Sequence, residues 1–469
     1  MNKTLCFFLR LRFTNYAAVI GVLFIFIQQI IVASSTAFIA LLSKNIISGE
    51  NYIFFLILFI ISLTIAYIPT MLTNYFINKA TYLTYKEYIL KFSKQSYNHP
   101  NIYFNAKFRE KKEPYFTHEA WLIIQEDYYY IVTIFSIVLN IILNVLVLGF
   151  YLNWNFLFSY IFAVPLTLIC VIISKKRLLK KSDNLQKSRN EMMQTLSYGW
   201  DTILIGNKWN NTLWNNIFKR KCDEADKNQR KLTLEIDVMA IITLIVSAFP
   251  ILFTLFISFL NAGNDIQKLA MLVATTPRQV ITIQNLSDII SLFVNLNDKI
   301  HRTKKLSENL NINEDLLVPD NKITWGNIFI ANKKGKTVLN SFSDLLSATK
   351  NFEKGRYTIT GDNGTGKTTL LANIKFKMDD KAYLLPSHSK MMFQNDTNEK
   401  GYSTGEKLHE NFKEISSVIN DGIISILLLD EWNANLDKEN LSKVNQEIEE
   451  ISKIVCVIEV LHISNDNHS

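Results

Sequence analysis

The 469-residue chain is 48% hydrophobic, with 31 Phe and a mean hydropathy of +0.10, which argues against a purely soluble protein and puts a membrane first. Its formal net charge of +8 is uneven: residues 1–310 carry 32 Lys/Arg against 19 Asp/Glu, whereas residues 311–469 carry 18 against 23. The cations lie between apolar runs and form no stripe with interleaved aromatics, so nucleic acid is excluded as a partner in favour of positive-inside topology, and the scattered Cys6, Cys170, Cys222 and Cys456 give neither a disulfide framework nor zinc spacing.

A helix crosses a bilayer in about 20 residues, and six segments are predicted to do so: about 15–42, 52–77, 130–152, 154–174, 238–262 and 269–297. The first contains "VASSTA", which resembles a small-residue cleavage site, but the apolar run continues through "FIALL" and exceeds the h-region of a secretory signal. The connections "SKNIISGEN", "NWN" and "NAGNDIQ" are short, whereas 78–129 and 175–237 are long, helical in pattern and carry 8 and 14 Lys/Arg. That asymmetry places the long loops and both termini in the cytoplasm. The sixth segment is the most polar, with Thr275, Thr276, Pro277, Arg278, Gln279, Gln284 and Asp288. Intramembrane charge normally faces a bundle interior or a water-filled cavity. Arg278 and Gln279 are therefore candidates for a substrate pathway, against a structural reading in which Arg278 snorkels or pairs with Asp288.

After residue 297 the chain turns polar and mixed in charge, a helix running out into a linker, and a soluble domain is expected over 311–469. There "RYTIT" reads as a strand and "TTLLANIKFK" as a helix, and between them Gly361-Asp362-Asn363-Gly364-Thr365-Gly366-Lys367-Thr368 fits G-x-x-x-x-G-K-[ST]. Glycines let successive N–H groups face a phosphate, and the helix N-terminus adds its dipole. Lys367 can reach β/γ oxygens and the Thr368 hydroxyl can ligate Mg²⁺, with Thr369 beside them. The run "ISILLLDEW" reads as a buried parallel strand that delivers Asp430 and Glu431 to the phosphate end of the sheet. One carboxylate can hold magnesium and the other polarise water. A Ser/Gly turn at Tyr402–Lys407 precedes a helix expected from Leu408, and "KIVCVIEVLHIS" is a further buried-strand pattern ending near His462.

In this order, the phosphate loop, a Ser-x-Gly turn like the LSGGQ signature, the Asp-Glu strand, "NANLD" like a D-loop and a terminal His resemble an ATP-binding-cassette ATPase. Six spans with two long cytoplasmic loops are similar to the exporter class, in which membrane and ATPase domains are fused as a half-transporter. "WDTILIGNKWNNTLWNNIF" and "YFNAKFREKKEPYFTHEAWLIIQED" resemble its second and first cytoplasmic loops. The implied fold is an all-α membrane domain with six transmembrane helices (1–310) followed by an α/β P-loop NTPase domain (311–469).

By this resemblance ATP is held by Gly361, Asn363, Gly364, Gly366, Lys367, Thr368 and Thr369. Mg²⁺ is held at Thr368 and Asp430, Glu431 is the catalytic base, and His462 is the γ-phosphate switch. Ser403, Gly405 and Glu406 contact ATP held by a partner, so the resemblance implies a homodimer in the inner (plasma) membrane that exports a small molecule or peptide. The chain departs from the family pattern in the short stretch between Lys367 and Ser403, where a helical subdomain is expected. It departs again at "KAYLLPSHSKMMFQ", where Ser387-His388 follows Pro386 and Gln394 comes later. The aromatic that stacks on adenine is missing at its usual place, and Trp325 and Phe329 are the substitutes.

Overall fold

The computed structural model describes residues 15–310, 322–333, 335–387, 391–394, 404–434 and 436–461. They divide into two compact units, one of residues up to Ile89 with Thr117–Asn309, the other of Leu90–Phe116 with the chain from Leu310 onward.

The first unit is helical. Its elements are α1 (Tyr16–Ser48), α2 (Tyr52–Ile65), most of α3 (Tyr67–Ser96), α6 (Ala120–Tyr151), α7 (Asn155–Leu196), α8 (Gly199–Ile205), α9 (Lys208–Ala262) and α10 (Ile266–Asn309). Among the described residues five helical stretches are long and apolar enough to cross a membrane: Tyr16–Ser48, Tyr52–Ser96, Ala120–Tyr151, Asn155–Ile205 and Lys208–Ala262. Their outward faces are apolar, with Phe150, Phe162, Ile172, Ile173 and Phe249 exposed. Water would penalise such a surface and lipid does not, which makes the chain a multi-pass membrane protein. The sixth expected span is one unbroken helix, α10, but its Thr, Gln, Asp and Arg content keeps it out of that apolar set.

Within this unit Ile141, Val145 and Leu148 of α6 pack with Phe156, Tyr160 and Ala163 of α7, Ala248 and Ile251 of α9, and Leu272, Ile283 and Leu286 of α10. Small residues inside allow close helix approach. Polar side chains are interleaved: Thr84 and Tyr128 share a hydroxyl hydrogen bond of 2.7 Å, and Thr303 Oγ1 donates to the buried Asp127 at 2.7 Å.

The second unit is a six-stranded mixed sheet with helices on both faces. Its strands are β1 (Ile328–Asn332), β2 (Gly335–Leu339), β3 (Gly355–Gly361), β4 (Ala382–Pro386), β5 (Ile426–Asp430) and β6 (Cys456–Val460), in the order β2-β1-β3-β6-β5-β4. β3, β6, β5 and β4 are parallel; β1 runs antiparallel to both β2 and β3. Both β5 and β6 are buried throughout, as expected of continuous apolar runs covered on two sides. One face packs on α11 (Phe342–Ala348) and α12 (Lys367–Met378) through Leu345, Leu370, Leu371 and Ile374. The other packs on α13 (Thr404–Asn420) and α14 (Lys438–Ser452) through Phe412, Ile415, Ile419, Val444 and Ile448. The expected start of α13 at Leu408 is corrected to Thr404. The apolar period that betrays this helix begins only at Leu408, because its first turn does not need a buried side chain.

Residues of the first long loop belong to this second unit. The short helices α4 (Pro100–Tyr103) and α5 (Ala106–Pro114) follow α3, and α4 opens on a proline, whose fixed φ suits a first helical position. Asn98 Nδ2 donates to Asp379 Oδ1 at 2.7 Å, Asn101 Nδ2 to Asn373 Oδ1 at 2.9 Å, and the Tyr97 hydroxyl to Asp380. The His99 and Phe376 rings lie 5.9 Å apart. The loop thus seats on the C-terminal half of α12.

Candidate functional site

The loop between β3 and α12 is built by its glycines. Gly366 has φ +95°, and a Cβ there would stand 2.4 Å from the Lys322 carbonyl oxygen, so only glycine fits. Gly364 has φ +85° with nothing within 4 Å of a Cβ; it needs a left-handed residue but not the space. Thr365 is buried, its hydroxyl donating to the Asp362 carbonyl at 2.8 Å while its own carbonyl accepts from the Thr324 amide at 2.9 Å. Asp362, Asn363 and Gly364 stay exposed at the tip. Helix α12 begins at Lys367, so the amides of Lys367, Thr368 and Thr369 are among those without a partner in the helix itself, an anion-binding end. Lys367 Nζ folds back onto the loop, donating to the carbonyls of Gly361 at 2.7 Å and Asp362 at 3.1 Å.

Two strands away, β5 ends on Asp430. Thr368 Oγ1 donates to Asp430 Oδ1 at 3.1 Å. Burial is the main reason the Asp430 carboxyl is pushed up to about 6, with the charge of Glu431 adding to it and the Thr368 hydrogen bond and the Lys367 charge opposing it. A buried, hydroxyl-linked carboxylate whose ionised form is disfavoured is a donor set that a divalent cation would relieve. Two hard oxygens, on Thr368 and Asp430, therefore fit Mg²⁺, with further positions left to phosphate oxygens and water.

Glu431 follows in a left-handed backbone conformation, φ +48°, unusual for a residue with a β-carbon. Its amide donates to the Val460 carbonyl at 2.9 Å and its carbonyl accepts from the Ala434 amide at 3.1 Å. Of the "NANLD" stretch, Asp437 caps α14 by accepting from the Asn440 amide at 2.8 Å.

The other expected residues divide. Gly405 and Glu406 fall in the first turn of α13, while Ser403 and His462 lie outside the described residues. Trp325 packs against the sheet core beside residues that abut the glycine loop, whereas the Phe329 ring is covered by Lys336 Nζ, 4.3 Å from its centroid. The backbone amide of Gln394, the glutamine that comes later than the family pattern places one, donates to Glu414 at 3.0 Å.

In the helical unit Arg278 makes its hydrogen bonds to α1: Nε to Thr36 Oγ1 at 3.0 Å, and Nη2 to Ser35 Oγ at 3.1 Å and the Val32 carbonyl at 3.3 Å. Pairing with Asp288, one of the structural readings, is replaced by this capture, and among the described residues Arg278 forms no ion pair. A polar ladder continues from it: Thr36 to Asn144, and Ser136 through Gln29 and Asn140 to Asn285, with steps of 2.9 Å. Gln279 is 1% exposed, and neither of its amide atoms has a partner among the described residues.

Sequence reasoning missed Glu459. It is the penultimate residue of the buried strand β6, at 1% exposure. It accepts from Arg356 Nε and Nη2 at 2.8 and 2.9 Å, from Thr358 Oγ1 at 3.1 Å and from Trp432 Nε1 at 3.0 Å. An acid inside "VCVIEV" was the available signal. No family model and no curated protein matches the chain.

Proposed function

We propose that two copies of this chain form an ATP-driven exporter of the ATP-binding-cassette type in the inner (plasma) membrane, moving a small molecule or peptide outward. The observation that carries the reading is the convergence of the glycine loop, the α12 N-terminus, the Thr368–Asp430 pair and Glu431 at one end of one sheet. Backbone amides and Lys367 bind the triphosphate, and Thr368 and Asp430 orient its magnesium. Magnesium, when bound, neutralises charge on the phosphates. Glu431 accepts a proton from the attacking water. In this reading α10 is the sixth crossing, its polar face turned to a cavity shared between the two copies. The soluble unit is cytoplasmic, on the side of the Lys/Arg-rich loops.

ATP drives the conformational change only if the closed dimer binds it more tightly than the open one. The test is hydrolysis by the full chain in lipid nanodiscs. Glu431→Gln should keep ATP bound and cut turnover about a hundredfold. Equal turnover with Gln or Ala at 431 would overturn the mechanism. The brief connection between β4 and α13, residues 387–403, favours a second reading, in which ATP binding gates a passive pore. Uphill, hydrolysis-dependent uptake into inverted vesicles supports the pump, and ATP-gated downhill flux supports the pore.

A further inference from the structure

Glu459 pairs with Arg356 at 2.8 Å inside an apolar sheet, and a buried ion pair by itself is poor evidence of added stability. What distinguishes this one is its fourth donor. Three of the hydrogen bonds come from β3, from Arg356 and Thr358, and hold the carboxylate in place. The fourth comes from Trp432, 5% exposed and adjacent in sequence to Glu431. Glu431 is the residue in the strained left-handed conformation, and its own amide is tied to Val460, the next residue along β6 after Glu459. Two consecutive residues of β6 therefore grip two consecutive residues after β5, one through a side chain and one through the backbone. Between those grips the Glu431 backbone has little room to relax. Arg356 is itself braced, its Nη1 lying 3.5 Å from Glu449 of α14, which also pairs with Lys333 at 2.5 Å.

We infer that Glu459, Arg356 and Trp432 are positioning residues: their ion-paired, hydrogen-bonded chain locks the turn after β5 and so aims the Glu431 carboxylate. The inference rests on the proposed role of Glu431. A misplacement of about 1 Å at a reacting group can cost two orders of magnitude in rate, so a lock behind the base acts on turnover rather than on nucleotide affinity.

The test uses the full chain in lipid nanodiscs. Arg356→Ala or Glu459→Ala would leave an uncompensated buried charge and report on folding, so the more informative variant is Trp432→Phe, which keeps an aromatic ring in place and removes the Nε1 donor together with the five-membered ring that carries it. We expect its kcat for Mg·ATP hydrolysis, per folded protein, to fall about tenfold with KM within about twofold of the wild type. In a Glu431→Gln background Trp432→Phe should add no further loss. Deuterium uptake of segment 431–434 should rise while that of β5 stays low. Unchanged kcat in Trp432→Phe overturns the inference, as does an equal fractional loss in both backgrounds. Should the wild type not hydrolyse ATP, the exporter reading fails separately and the exchange experiment decides alone: unchanged uptake at 431–434 overturns the lock, and selective uptake upholds it.

Discussion

Thr368 Oγ1 donates a 3.1 Å hydrogen bond to Asp430 Oδ1 across 62 residues of sequence, joining the first turn of α12 to the last residue of β5. β6 lies between β3 and β5, so neither partner is brought by its nearest strand neighbour. The bond places a hydroxyl and a carboxylate where one cation can meet both.

Asp430 gives the site a pH signature. Its carboxyl is raised to about 6, chiefly by burial. A raised acid favours the protonated folded state, so the nucleotide-free protein loses stability as pH climbs from the ordinary carboxylate value towards 6. Asp430→Asn should therefore be more stable than wild type above pH 6, by about 3 kcal/mol, and equal to it below about pH 4. Chemical melts of the full chain in detergent across pH 4–8 check this, and added Mg²⁺ with nucleotide should close the gap in favour of wild type.

Lys367→Ala should leave the apo fold intact and weaken Mg·ATP binding by at least about tenfold, the equivalent of one charge-assisted hydrogen bond. Titration with a fluorescent ATP analogue in nanodiscs reads the affinity directly. Unaltered affinity would overturn the proposed role of Lys367.

Gly366→Ala and Gly364→Ala separate crowding from strain. Both positions have positive φ, but only at 366 does a Cβ meet backbone, 2.4 Å from the Lys322 oxygen. The 366 variant should lose about 1–3 kcal/mol and its nucleotide binding, whereas the 364 variant should pay only the left-handed cost, about 1 kcal/mol. Similar melting temperatures for the two would contradict the close approach.

The seat of the first long loop on α12 can be loosened from the α12 side. Asp379→Ala with Asp380→Ala removes the acceptors used by Asn98 and Tyr97. Each exposed bond is worth about 1 kcal/mol, so deuterium uptake over 97–103 should rise several-fold while α12 stays protected. If that segment is unaffected, the Asn101–Asn373 and His99–Phe376 contacts suffice to hold it.

The glycine loop and the Asp-Glu pair were legible because each is contiguous: β3, α12 and β5 flank them as the apolar runs and turn residues require. The six expected spans were legible as helical stretches, and composition keeps α10 out of the five that are apolar enough to cross a membrane. Arg278 was legible as an unusual charge, but its acceptors on α1 lie 242 residues away in sequence, at Thr36, and no local pattern identifies them. Glu459 was read as one more residue of a buried strand, because alternation says which face a side chain takes and not what waits there.

Apolar run length, strand–glycine–helix succession and charge bias between halves come from covalent neighbours, and the sequence by itself determined them: a membrane-spanning half, a less apolar half, and a glycine loop between a strand and a helix. The strand order β3-β6-β5, the Thr368–Asp430 bond, the grip of Glu459 on Trp432 and the polar ladder around Arg278 were decided only by tertiary structure. Their physical reason is common to all four. Buried polar groups must find partners, and in a packed interior the partner is whichever distant segment the sheet order or helix bundle brings alongside.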